Sequence, residues 1–257
     1  MSKKLHFKAL LAGSLFAFIS TVSHATVVEI RTSLGNVQVN LFDNTTPQTV
    51  ANFLSYVNSG AYVNNVVHRV EPNFVVQAGG FQYTDEFPPA SIPTGTAVQN
   101  EPKLSNVKGT IAMAKLGGSV NSATSQWFFN LSNNSTNLDV QNGGFTVFGQ
   151  VLGDGMQVVN AIAAVSHFNA GGAFTSIPLR NFTSTNVSDI TSDNLVLISD
   201  VVVIDSTVVT HPEIVPVTNT LINNSGNGGS VSDSGGGGSF AWLSLLALGM
   251  LGRRFYR

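Results

Sequence analysis

Apolar and polar positions along this chain mostly recur with a period of two. Val37, Val39 and Leu41 alternate with Asn36, Gln38 and Asn40, the pattern of a strand with one buried face and one wet face. β-Branched and aromatic runs of similar length recur at 27–30, 66–70, 74–78, 109–114, 126–131, 145–151 and 195–204. Two segments carry the helical period instead. Val50, Phe53, Leu54 and Val57 fall at i, i+3, i+4 and i+7, with Thr46 placed as N-cap, Pro47 at the first helical position and Gly60 beyond the end. After Asp154, the residues Val158, Val159, Ile162 and Val165 form a second inward stripe. Roughly eight short strands and two helices, joined by long loops, predict a mainly β fold. The expected architecture is a closed eight-stranded antiparallel β-barrel with the two α-helices plugging its ends.

One stretch sits awkwardly in that pattern. The run from Val66 through His68-Arg69-Val70-Glu71 turns at Pro72-Asn73 and returns through Phe74-Val75-Val76-Gln77-Ala78 to paired glycines, Gly79 and Gly80. It reads as two consecutive buried strands with an arginine inside. Such an arginine must be paired, or must face a groove where a ligand satisfies it. The strand 126–131 poses a related choice. Trp127, Phe129 and Leu131 share one face and are plainly core, whereas Gln126, Phe128 and Asn130 share the other. A face mixing Gln with Phe suits a groove that grips an apolar group and a backbone together.

Charge narrows the function class. Six of the twelve basic residues lie at the chain ends, and all fourteen acidic residues lie between Thr26 and Gly238. That body holds six basic residues (Arg31, Arg69, Lys103, Lys108, Lys115 and Arg180) against fourteen acidic ones, a net charge of −8. It lacks the basic footprint of a nucleic-acid binder. Absence of Cys excludes disulfide, thiolate and Cys-zinc chemistry. His167 and His211 have no partner spacing for a metal, and His68 points to the strand face opposite Arg69 as a packed structural residue. Gly79-Gly80 reads as a close-packing turn, since no Lys-Ser/Thr follows for a phosphate loop.

In this order and spacing, several segments resemble cyclophilin-type peptidyl-prolyl cis-trans isomerases of the bacterial exported kind. They are 53–62, His68-Arg69-Val70, Phe74 to Gly80, 109–114, Ser122 to Phe128, and Phe148-Gly149-Gln150-Val151 with Gly155-Met156. They span 27–204, nearly the whole body. The resemblance implies that Arg69 is the catalytic arginine and that Phe74, Val75, Phe128 and Leu138 form a hydrophobic proline pocket. Gln77 would orient Arg69 and the substrate, while Ala114, Lys115 and Gln126 would line the backbone-binding side. Three rim positions depart from the commonest eukaryotic pattern: Val75 stands where Met is usual, Asn137 where Trp or Phe is usual, and Phe145 where His or Tyr is usual. The implied substrates are proline-containing polypeptides, handled by a monomer without metal or cofactor. A cyclophilin-fold module that binds proline segments with little turnover is the alternative that the altered rim leaves open.

The ends read as addresses. Residues 1–25 form a signal peptide: Lys3, Lys4 and Lys8, an apolar run 9–19 too short to span a bilayer, and Ser23-His24-Ala25 as cleavage site. The isomerase domain is expected at 26–209, a flexible Gly/Ser/Asn-rich linker at 210–238, and a hydrophobic tail at 239–257 ending in Arg253, Arg254 and Arg257. Gly cluster, apolar stretch and basic end resemble the GlyGly-CTERM sorting tail; an uncut weak anchor is the alternative. The body is therefore expected in the periplasm or at the cell surface, with transient membrane contact through the tail before processing.

Overall fold

The computed structural model describes residues 26–207 and 210–223. The predicted signal peptide and sorting tail lie outside the described residues.

The alternation at the start of the chain does what its period dictates. Strands Val27–Thr32 and Gly35–Leu41 form an antiparallel hairpin with Val28 opposite Val39 and Ile30 opposite Val37. All four side chains are fully buried, while Asn36 and Gln38 face solvent. From this hairpin a single 11-stranded antiparallel sheet extends in both directions. One side adds Val147–Val151, Thr110–Met113, Trp127–Asn130, Val75–Ala78 and finally Arg69–Glu71. The other adds Leu197–Asp205, Asn65–Val66, Phe81–Gln82 and Ala90–Ser91.

The eight longer strands are those the pattern predicts, but the closed eight-stranded barrel is not what they build. Three two-residue strands (Asn65–Val66, Phe81–Gln82 and Ala90–Ser91) raise the number to eleven, and no ladder joins the two outer strands. The cause lies in the run from Val66 to Glu71, read from sequence as one strand. Its first part pairs with Leu197–Asp205, and after Val67 and His68 its second part pairs with Val75–Ala78 at the opposite border. The sheet is thus curled, and covalent chain rather than a hydrogen-bond ladder links its two sides.

Helix α1 (Pro47–Asn58) buries Val50, Phe53, Tyr56 and Val57. Gly60 follows its end at φ +71°, where a residue without Cβ meets no penalty. A single-turn helix, α2 (Ser135–Leu138), carries Leu138, and α3 (Gly155–Ala163) starts after Asp154 and buries Val159 and Ile162. The stripes of α1 and α3 join Ile30, Val37, Val76, Trp127, Phe129 and Phe148 in the main core.

Two expectations need correction. The segment 166–194, read as a polar insertion, has its own small core. The pair His167–Phe168 and Ile177–Pro178 form a two-stranded sheet, and Phe174, Ile177, Leu179 and Ile190 pack on Val66, Tyr83 and Leu195. Its apolar residues are too irregularly spaced for a period to reveal them. Residues 210–223, read as the start of a linker, lie against the body: Thr218 bridges Leu104, and Asn219 is buried.

Candidate active site

The register of the sheet assembles the site. Arg69 lies opposite Gln77, Gln77 opposite Phe128, Phe128 opposite Ala112, and Ala112 opposite Val147. Residues directly opposite in neighbouring strands share a face, as do residues two apart within a strand. Glu71, Val75, Gln126, Ala114 and Phe145 therefore belong to the same face. The intervening positions Val70, Val76, Trp127, Phe129, Ile111 and Phe148 point into the main core instead. The mixed Gln/Phe face noted in the sequence is a separate surface with an arginine at its border.

Arg69 is 4% exposed. Its Nη1 donates to Gln77 Oε1 at 2.9 Å, and its Nη2 lies 3.4 Å from Glu71 Oε1 in an ion pair. Gln77 Nε2 donates in turn to Gln126 Oε1 at 2.9 Å. Burial lowers the guanidinium pKa to about 10 against the opposing pull of Glu71, which leaves Arg69 cationic at neutral pH. Of the two alternatives for this residue, the pairing is what the structure shows, on the sheet face that also carries Phe128. Gly80 makes room for the relay, because a Cβ there would come within 2.7 Å of Gln126 Nε2. Gly79, at φ +85°, would place a Cβ 2.6 Å from Ser125 O, so the paired glycines are the close-packing turn expected.

Beside Arg69, Val75, Ala112, Ala114, Phe128, Leu138, Phe145 and Val147 form an apolar cluster distinct from the main core, with Phe74 packed partly exposed against it. Phe128 and Phe145 meet edge to face at 5.9 Å. Polar side chains brace this cluster. Asp139, next to Leu138, accepts from Ser105 Oγ (2.6 Å) and Asn106 N (2.7 Å), and Asn106 Nδ2 donates to Phe145 O (3.0 Å). Asn134 Nδ2 donates to Phe74 O (2.9 Å) and to Asn130 Oδ1 (2.7 Å). Asn130, a member of the groove face by period, is thus fully buried in the brace rather than exposed to a ligand.

Ala114, Lys115 and Gln126 line a small, open neighbouring cleft together with Leu116, Ser122 and Thr124. Lys115 is more committed than the sequence implies. Its Nζ donates to the carbonyls of Asn142 (2.8 Å) and Gly144 (2.7 Å) and lies 4.9 Å from the Phe145 ring centre. Burial lowers its pKa to about 8. Asn137, the remaining rim position, is half exposed on α2 beside Leu138. His68 is fully buried against Phe81 at 4.9 Å, and burial together with the Arg69 charge lowers its pKa to about 3. It is the neutral packed residue expected. Sequence reasoning passed over Glu71, although its position two residues from Arg69 on one strand was the available signal. The Ser105, Asn106, Asn134 and Asp139 brace has no such signal, since Ser105 and Asn106 lie about thirty residues from the α2 ends that carry Asn134 and Asp139.

The family model for cyclophilin type peptidyl-prolyl cis-trans isomerases matches residues 27–184. A peptidyl-prolyl cis-trans isomerase of Acinetobacter baylyi is 38% identical over 158 residues, covering 61% of this chain and 81% of the relative. Peptidyl-prolyl cis-trans isomerase A of Dickeya dadantii is 37% identical over 184 residues, covering 70% of this chain and 94% of the relative. Isomerase B of Escherichia coli is 35% identical over 149 residues, covering 56% and 88%. With the family model covering more than half of its length and several relatives above 30% identity, this chain belongs to the cyclophilin-type peptidyl-prolyl cis-trans isomerases and is an enzyme of that family.

Proposed function

We propose that this enzyme accelerates rotation about X–Pro bonds in exported proteins, with Arg69 as the catalytic donor. The observation that carries the reading is the location of the buried, Gln77-bound guanidinium of Arg69 on the same sheet face as Val75, Phe128 and Phe145. Rotation faces a barrier of about 18–20 kcal/mol because the amide C–N bond is partly double. Lowering it takes no nucleophile or proton acceptor, only weaker amide resonance. A proline ring seated among Phe74, Val75, Phe128 and Leu138 leaves the preceding carbonyl free to swing. As the bond twists, the prolyl nitrogen pyramidalises and gains a lone pair that Arg69 can hydrogen-bond. Neither planar ground state offers that acceptor, so the interaction favours the transition state selectively. Each tenfold in rate corresponds to about 1.4 kcal/mol of such preference.

Gln77 and Glu71 hold the guanidinium in place before substrate arrives. Ala114, Gln126 and Lys115 line the side along which the substrate backbone would lie. Val75, Asn137 and Phe145 shape the rim and hence the choice of proline segment. The signal-like 1–25 and the Gly-rich, apolar, basic order of 235–257 support export to the periplasm or the cell surface, where the protein would act as a monomer. On this reading the tail touches the membrane only until it is cut.

Arg69→Ala should fold and lose most isomerase activity on a proline peptide in a protease-coupled assay. An unchanged rate would overturn the assignment. Intact mass of the mature protein tests the address: loss of 1–25 supports export, and loss of 240–257 supports sorting over anchoring.

A further inference from the structure

The strand that carries Arg69 is three residues long and lies at the border of the sheet. Its middle residue, Val70, is fully buried. Glu71 turns its carbonyl toward the hairpin partner, where Phe74 N donates to it at 3.0 Å. Backbone groups alternate in direction along a strand, so those of Val70 point off the sheet. One residue takes both of them. Val70 N donates to Ser176 O at 2.9 Å, and Ser176 Oγ donates to Val70 O.

Ser176 belongs to the segment 166–194, between the turn Gly172–Phe174 and the strand Ile177–Pro178. Its neighbours Phe174 and Ile177 are fixed in the small core with Val66, which precedes Arg69 by three residues. The clamp thus acts from a folded support on an otherwise uncovered strand edge.

We propose that Ser176 is a positioning residue for isomerase catalysis: it clamps both backbone groups of Val70 and so fixes the strand from which Arg69 reaches the pocket. The inference rests on the catalytic reading of Arg69. Without the hydroxyl, Val70 O becomes a buried acceptor with one donor fewer, and the short border strand relaxes to find another. The proline pocket is built on other strands and on α2, so substrate still binds. What is lost is the placement of the donor, to which rates are steeply sensitive.

The test is Ser176→Ala, with kcat and KM measured on a proline peptide and the Arg69 Nε–Hε resonance followed by NMR. The expected result is a fall in kcat of about tenfold with KM within about twofold, since donor misplacement acts on the chemical step. The Arg69 resonance should shift, and Ser176→Thr, which keeps the hydroxyl, should restore both readouts. Normal kcat with an unmoved resonance overturns the proposal, as does a loss confined to KM. Arg69→Ala in parallel separates the two readings. If it is inactive while Ser176→Ala is normal, the clamp fails alone. If it is active, the catalytic role of Arg69 fails, and the resonance still reports whether the clamp moves that side chain. Should the alanine variant not fold, Ser176→Cys, a weak donor, is read by the same criteria.

Discussion

Gln77 stands between Arg69 and Gln126, accepting from the guanidinium at 2.9 Å and donating to the second amide at the same distance. The bond takes up one N–H of the guanidinium, at Nη1, and restricts how the rest of it can point. Gln77→Leu keeps the volume while removing both bonds. Isomerase kcat/KM should fall about ten- to hundredfold through lost orientation, with the fold unchanged by circular dichroism. Activity within twofold of wild type would show that the arginine is oriented without Gln77.

The neighbouring His68 should impose a pH dependence on stability rather than on catalysis. Its folded pKa is near 3, below the ordinary value of about 6.5 that it regains on unfolding. Between those values the unfolded chain holds a proton that the folded one does not. Stability therefore rises with pH across this window and is lost as pH falls below about 6.5. The slope for one proton approaches about 1.4 kcal/mol per pH unit. Urea denaturation of wild type and His68→Leu between pH 4 and 7 measures the difference. Parallel slopes in the two proteins would contradict the role.

How much of this was legible from the chain depends on the range of the interaction. Val37, Val39 and Leu41 face inward because a period of two leaves no choice, and the α1 stripe follows from a period of 3.6. Arg69 stood out because a cation is costly in a buried run, and Phe128 because its strand face was mixed. Closure of the barrel was misread because hydrophobic pattern records which face is buried, not which strand lies alongside. The clamp of Ser176 on Val70, 106 residues away, leaves no trace in local sequence.

The start of α1 shows the same limit. Thr46 occupies the N-cap position, yet its hydroxyl donates backward to Phe42 O. The cap comes instead from Glu101, whose Oε2 accepts from both Thr49 N and Thr49 Oγ1 at 2.9 Å. A buried carboxylate at a helix N-terminus satisfies an orphan amide and complements the helix dipole. Glu101→Ala should cost about 1–3 kcal/mol, the penalty for an unsatisfied buried donor. Thr46→Ala should cost less. A denaturation midpoint more sensitive to Thr46 than to Glu101 would reverse this assignment.

Asn219 offers a test of the segment 210–223. Its Nδ2 donates to Asp139 O (2.9 Å) and Pro102 O (3.2 Å), and its backbone N donates to Lys103 O (2.9 Å). Ser105 N donates to Val217 O at 2.8 Å, so the segment lies along 103–105 like an added strand. Ile214 packs against the apolar cluster that holds Leu138 and Phe145, whereas Arg69 is held by Gln77 and Glu71 on the other side of the sheet face. Losing the segment should therefore loosen the chain locally while sparing chemistry. Asn219→Ala removes the two side-chain bonds that tie the segment to the body, worth about 1–2 kcal/mol together, besides the two that its Oδ1 accepts from Leu221 N and Ile222 N within the segment. If the segment opens locally, that energy becomes a roughly five- to thirtyfold rise in its open population. Limited proteolysis within 210–223 should accelerate by that factor, while kcat stays within about twofold of wild type because the donor row is untouched. Proteolysis that does not accelerate would mean that Ile214 and the backbone pairing with 103–105 hold the segment without Asn219. A large fall in kcat would mean that the brace on Leu138 and Phe145 reaches Arg69 after all.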